Sequence, residues 1–135
     1  MDVGAWGWFW KKSAAISLLR KVVGEMMRGI FDGFESKWVP VDGGATIGQV
    51  GSEGGTILMD DEIEGACRIT LEKGGWAPYS ITCGIYGMMV HTVFAGDEKE
   101  GRKKYEGMKT DLKMFIDSYE QYEDGKWCEI FVNKW

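Results

Sequence analysis

The stretch that decides the fold is Ile63–Phe94, which reads IEGACRITLEKGGWAPYSITCGIYGMMVHTVF. From Ile63 to Leu71, apolar or small residues alternate with more polar ones, which is the period-2 pattern of a strand with one buried face. Glycine-containing breaks at Gly74–Gly75 and Tyr86–Gly87 divide the stretch into three segments. The pattern therefore predicts three adjacent antiparallel strands with one face toward the core.

The faces of these strands suggest how they pair, because opposed residues of an antiparallel pair lie on the same side of the sheet. We predict that Cys67 faces Cys83 and that Arg68 faces Thr82. This register keeps both cysteines on the core face, where they act as small apolar residues. It leaves Arg68 and Thr82 on the opposite, polar face.

The turn at Tyr86–Gly87 decides where His91, the single histidine, is placed. A two-residue turn puts His91 opposite Thr82, so that Arg68, Thr82 and His91 form one polar row. Tyr is unfavourable in such a turn, because both residues need positive φ. A three-residue loop would instead turn His91 toward the core. We predict the first register and take Arg68, Thr82 and His91 as the candidate ligand-binding residues, against the plainer interpretation of an open polar sheet face.

Length and composition are those of one ordinary globular domain, residues 1–135, with 44% hydrophobic and 27% charged residues. The net charge of −5 argues against a nucleic-acid partner, which requires a basic face. The chain has no apolar run of transmembrane length and no signal-peptide pattern, so we expect a cytoplasmic protein. Three cysteines without a Cys-x-x-Cys pair indicate reduced thiols.

The first 35 residues form a separate pattern. Residues 1–12 are a tryptophan-rich arm, and after Ser13 apolar residues recur at spacings of three and four, which predicts a long helix. We expect this helix to pack on the core. Its basic flanks are also typical of a segment lying in a membrane interface, which is the less favoured interpretation.

The remaining segments complete the predicted architecture. Residues 43–55 contain six glycines but lack a phosphate-loop motif, so we predict short strands with glycine turns that are mobile enough to form a lid. Residues 56–59 are predicted as a strand, residues 60–62 as its hairpin turn, residues 97–122 as a capped helix, and residues 127–132 as a last strand. The fold class is α+β: an antiparallel meander sheet with the N-terminal helix and the second helix packed on one face.

Catalytic chemistry has few candidates here. One histidine excludes a multi-histidine metal site, and the predicted register places Cys83 and His91 on opposite faces, where the ring cannot activate the thiol. Glu64 and Glu72 are interpreted as surface charges rather than as an acid/base pair. We predict no catalytic residue, metal or cofactor.

Two segments resemble a family of small uncharacterised bacterial proteins. They are ITCGIYGMMVHTVF at Ile81–Phe94 and KYEGMK at Lys104–Lys109, and the resemblance extends over about residues 55–120. It implies a bacterial origin and carries no activity or functional residue.

Two functions are open at this point. The first is a non-catalytic interaction or regulatory module that binds a protein partner as a homodimer, because Trp and Met are abundant and are enriched in interfaces. The alternative is a small-molecule binding protein or minor enzyme, with a pocket between the sheet, the glycine-rich segment 43–55 and the helices.

Overall fold

The computed structural model describes residues 36–118 and 124–135. These residues form one antiparallel sheet with strand order β1-β2-β3-β4-β5, followed by two helices. The predicted α+β class with a meander sheet is confirmed, while the N-terminal arm and helix lie outside the described residues. The elements are β1 (Val39–Pro40), β2 (Thr56–Ile63), β3 (Cys67–Lys73), β4 (Tyr79–Ile85), β5 (Met89–Ala95), α1 (Glu98–Asp117) and α2 (Asp124–Lys134).

Helix α1 begins where the sequence predicts. The Asp97 side chain accepts a hydrogen bond from the backbone N–H of Glu100, and the Glu100 carboxylate accepts one from the N–H of Gly96. The helix packs on one face of β3, β4 and β5. Its apolar stripe is fully buried there and consists of Tyr105, Met108, Leu112 and Phe115. No helix of the described residues is long and apolar enough to cross a membrane.

The last predicted strand is wrong, because residues 124–134 form helix α2. A short apolar run such as WCEIFV fits either a strand or one side of a helix. Here Trp127 and Phe131, four residues apart, lie on the same side of the helix. The Trp127 ring stacks on Phe115 of α1 at 4.2 Å and on Phe131 at 5.0 Å between centroids. These aromatic contacts stabilise the helical form.

Strand β2 is longer than predicted and includes the acidic residues 60–62. The chain turns instead after Ile63, with Gly65 at φ 72°. The carboxylates are held in the strand by partners on both faces: Asp60 binds Arg68, whereas Asp61 binds Lys109 of α1. The predicted hairpin turn at residues 60–62 is therefore wrong.

The predicted pairing of β3 with β4 is shifted by two residues. Ile69 faces Cys83, and Cys67 faces Ile85. The connecting loop is the cause: it runs from Gly74 to Pro78, and the Gly74 N–H donates to the Pro78 carbonyl. A two-residue shift preserves the side of the sheet on which each residue lies, so the predicted core face is correct while the predicted partners are wrong.

The prediction of a two-residue turn between β4 and β5 is also wrong. Ile85 pairs with Met89, which leaves a three-residue loop, and the Met88 N–H donates to the Ile85 carbonyl at 3.0 Å. In this loop only Gly87 has positive φ, at 75°, so Tyr86 carries no such strain. His91 consequently pairs with Cys83 and shares the core face with it, as the alternative register requires.

Candidate functional site

Arg68 lies on the sheet face opposite α1, as predicted, but its guanidinium is already bound to a carboxylate of the same chain. Asp60 accepts from Arg68 Nε at 2.9 Å and from Arg68 Nη2 at 2.7 Å. The same carboxylate accepts from the Thr70 hydroxyl at 3.0 Å. All three residues are buried. This cluster joins β2 to β3, and its geometry is that of a structural ion pair.

The other two candidate residues are separated by the sheet. Thr82 is buried on the same face as Arg68, and its hydroxyl lies 3.0 Å from the hydroxyl of Thr92. His91 lies on the opposite face, so the predicted polar row of Arg68, Thr82 and His91 does not exist as one surface. Ligand binding by any of the three stays a prediction.

His91 is half-buried between the sheet and α2. Its ring meets the ring of Phe131 edge-on, with centroids 6.2 Å apart, and its buried Nε2 atom has no hydrogen-bond partner among the described residues. Burial lowers the pKa of His91 from the usual value of 6.5, because desolvation disfavours the charged imidazolium.

We expect an NMR titration of this single imidazole to give a pKa below 6.5. The folded pKa is then lower than the unfolded one, so the unfolded chain binds more protons between the two values. The free energy of unfolding should therefore fall as the pH drops through 6.5 toward the folded pKa. The variant His91→Gln should lose this slope, and a folded pKa at or above 6.5 would contradict the burial of the ring.

The new register also brings Cys83 and His91 to one face, which corrects the prediction that they lie on opposite faces. This pair still lacks the features of a nucleophile. Burial raises the pKa of the Cys83 thiol, whereas a reactive cysteine needs a lowered pKa. Among the described residues, no group of three His, Cys, Asp or Glu side chains is arranged to hold a metal ion.

Glu72 is a second buried carboxylate on the face opposite α1, although the sequence indicated a surface charge. One carboxylate oxygen accepts from the backbone N–H groups of Glu53 and Gly55, both at 3.1 Å. A Cβ atom at Gly51 would lie only 2.3 Å from Glu72 Cδ. Burial raises the pKa of Glu72, while the two backbone hydrogen bonds act in the opposite direction. The glycine-rich segment is thus wrapped around this side chain.

The loop between β3 and β4 packs against the same segment. The Trp76 N–H donates to the Glu53 carbonyl at 3.4 Å, and a Cβ atom at Gly75 would lie 2.3 Å from that oxygen. Such close approach of two backbones requires glycine. The two loops therefore form one unit at the end of the sheet, anchored by Glu72.

This unit carries large apolar side chains in solvent. Trp76 is 86% exposed, Val50 77% and Ile47 48%. We call these three residues the tip. The sequence analysis did not identify the tip. The tryptophan inside the turn GGWAP was a usable signal, because turns lie at the surface, whereas a core tryptophan usually lies on a strand or a helix.

A groove of about 340 Å³ lies between Trp38 and α1, and no residue of the tip lines it. Both of its lysines are already paired, Lys109 with Asp61 at 3.1 Å and Lys113 with Asp117 at 2.6 Å. The lining residues are Trp38, Glu106, Lys109, Thr110, Lys113, Met114 and Asp117. Residues 43–55 do not contribute, so this groove is not the pocket that the sequence predicted.

Comparison of the chain with family models, with curated proteins and with solved structures finds no match. This result is consistent with the resemblance to an uncharacterised family.

Proposed function

We propose that this protein is a non-catalytic interaction module that binds a protein partner through the tip and acts as a homodimer. The observation that carries the proposal is the exposure of Trp76, which presents nearly all of its side chain to solvent. Large exposed apolar surfaces are typical of interaction sites.

The backbone that supports the tip also favours binding. Trp76 lies in a turn that is joined to residues 51–55 by backbone contacts, and those residues are bonded to buried Glu72. A side chain presented on a rigid backbone loses little conformational freedom on binding. Tryptophan is also prominent among the residues that dominate binding energy at interfaces.

The net charge of the protein further restricts the class of partner that it can bind. A net charge of −5 disfavours contact of the protein with nucleic-acid backbones. A protein with an apolar pocket, into which the indole of Trp76 fits, remains the best match. The three residues of the tip are apolar, so they contribute to such a contact through apolar burial.

We expect Trp76→Ala to weaken partner binding by about 30-fold or more, the loss of roughly 2 kcal/mol that defines an interface hot spot. The partner is first captured from a lysate of the source organism on the full-length chain, and its affinity is then measured by calorimetry. Met114→Ala serves as the matched control, because Met114 is an exposed apolar residue on α1, away from the tip.

Equal weakening by both variants, or none by Trp76→Ala, would contradict the role of the tip. The small-molecule alternative is tested separately by a thermal-shift screen of the purified chain against metabolites. A compound that raises the melting temperature by several degrees, with no protein partner captured, would favour that alternative.

A further inference from the structure

The two edges of the described sheet differ strongly in how open they are to another strand. The edge strand β1 has two residues, and one of them is Pro40, which has no N–H to donate. The edge strand β5 has seven residues, MVHTVFA, with no proline, glycine or carboxylate, lysine or arginine side chain. Natural edge strands are usually shortened, charged or interrupted to prevent pairing. Strand β5 has none of these protections along its own sequence.

The backbone groups that β5 presents at its outer edge can be assigned from one contact. The Phe94 carbonyl accepts a hydrogen bond from Lys104 Nζ at 2.9 Å, so this carbonyl points away from β4. Outward and inward pairs alternate along an antiparallel strand. Val90 and Thr92 therefore also direct their N–H and C=O groups outward. The close Thr82–Thr92 hydroxyl pair fits this assignment, because side chains approach more closely in pairs that share no backbone hydrogen bonds.

The side chains of these residues have a symmetric arrangement. Val90 and Phe94 lie on the same face as Thr92, two residues to either side of it, and are 37% and 52% exposed. A second β5 strand running antiparallel, with its Thr92 opposite this Thr92, would place Val90 of each copy against Phe94 of the other. Apolar residues would then meet across the edge on both sides of the centre.

We propose that two copies of the chain pair along β5, about a twofold axis at Thr92, and form one continuous antiparallel sheet. This inference rests on the proposed homodimer and identifies its interface. Each outward N–H of Val90, Thr92 and Phe94 finds a carbonyl of the second copy. The contact is isologous, as in most homodimers.

Electrostatic repulsion between the two copies favours β5 over the rest of the surface as the interface. Two copies that each carry −5 repel one another, and an uncharged strand is where they approach with least repulsion. The twofold axis places one Lys104 at each end of the interface; Lys104 is also paired with Glu100 at 3.1 Å, and the Phe94 carbonyl that it binds has a second lone pair for the incoming strand. The interface is small, so the dimer is expected to dissociate in the micromolar range.

The test uses paired charges on the full-length chain. Val90→Glu alone and Phe94→Lys alone each place a charge against an apolar residue of the other copy, and each should weaken dimerisation at least tenfold by sedimentation equilibrium. The double variant places Glu opposite Lys twice and should dimerise at least tenfold better than either single variant. Ile130→Glu and Ile130→Lys, at an exposed position on α2, are the controls and should dimerise like the original chain.

Circular dichroism melting of each variant identifies any that fail to fold, and if one single variant fails, the other single variant still tests the interface. A dimer that is insensitive to all three β5 variants forms elsewhere, which overturns this interface and leaves the homodimer standing. A chain that stays monomeric well above micromolar concentration overturns both the interface and the proposed homodimer, while binding of a partner by the tip is unaffected.

Discussion

Replacing Asp60 with Ala is expected to lower the free energy of unfolding by about 3–5 kcal/mol, the usual cost of removing one partner from a buried ion pair. Arg68 would lose the carboxylate that it binds through Nε and Nη2, and Thr70 would lose its acceptor. The guanidinium is buried in the folded chain, so loss of those hydrogen bonds leaves part of its desolvation cost without compensation. Urea unfolding followed by circular dichroism gives the free energy directly.

Two further variants test whether the loss of stability comes from breaking the buried ion pair of Asp60 and Arg68. Asp60→Leu combined with Arg68→Met removes both charges and should recover part of the lost stability, since apolar replacement of a buried ion pair is often neutral, whereas the Thr70 hydroxyl still lacks the acceptor that Asp60 supplied. Glu98→Ala breaks an ion pair that is half-exposed, with Arg102 at 3.6 Å, and should cost below about 1 kcal/mol. A cost for Asp60→Ala as small as that of Glu98→Ala would show that the cluster contributes little.

The side of the sheet on which each residue lies was predictable for β3 and β4, whereas the partners across the sheet and the side on which His91 of β5 lies were not. Alternation in residues 63–71 depends only on the strand itself, so Cys67 and Ile69 were placed correctly on the core face. The partner of each residue depends on loop length. The Gly74–Pro78 loop has its own internal hydrogen bond. The turn after Ile85 has three residues, and in it only Gly87, not Tyr86, has a positive φ. No sequence pattern fixes the length of the first loop, whereas the tyrosine at position 86 was a signal against a two-residue turn in the second.

The buried charges were missed for a related reason. Glu72 is a polar residue on the face of β3 opposite the core, and the strand pattern alone predicts that this face is exposed to solvent. Its burial arises from a loop that lies earlier in the chain, at residues 51–55, whose N–H groups reach its carboxylate. Likewise, Asp60 is buried because Arg68 lies on the neighbouring strand at bonding distance. Contacts between distant segments decided these environments, and local patterns do not report such contacts.

The unit that carries the tip depends on close backbone packing, and Gly75→Ala is expected to disrupt it. Gly75 has φ 82°, where an alanine costs about 1–2 kcal/mol of strain. Its Cβ would also lie 2.3 Å from the Glu53 carbonyl oxygen and 2.8 Å from the Gly55 nitrogen. Backbone atoms cannot rotate aside, and overpacking of this kind adds about 1–3 kcal/mol. The free energy of unfolding should therefore fall by about 2–5 kcal/mol in total.

Gly74→Ala is a closely matched control, because Gly74 has φ 85° and no atom of the described residues lies within 4 Å of the position that its new methyl group would take. It should cost only the strain, about 1–2 kcal/mol. The two variants also differ in their expected effect on binding. Displacing Gly55 breaks its hydrogen bond to Glu72 and releases residues 51–55, so Gly75→Ala should weaken partner binding together with stability, whereas Gly74→Ala should retain it. Equal losses of stability and affinity in both variants would mean that the two loops are not packed as one unit and that Trp76 binds without their support.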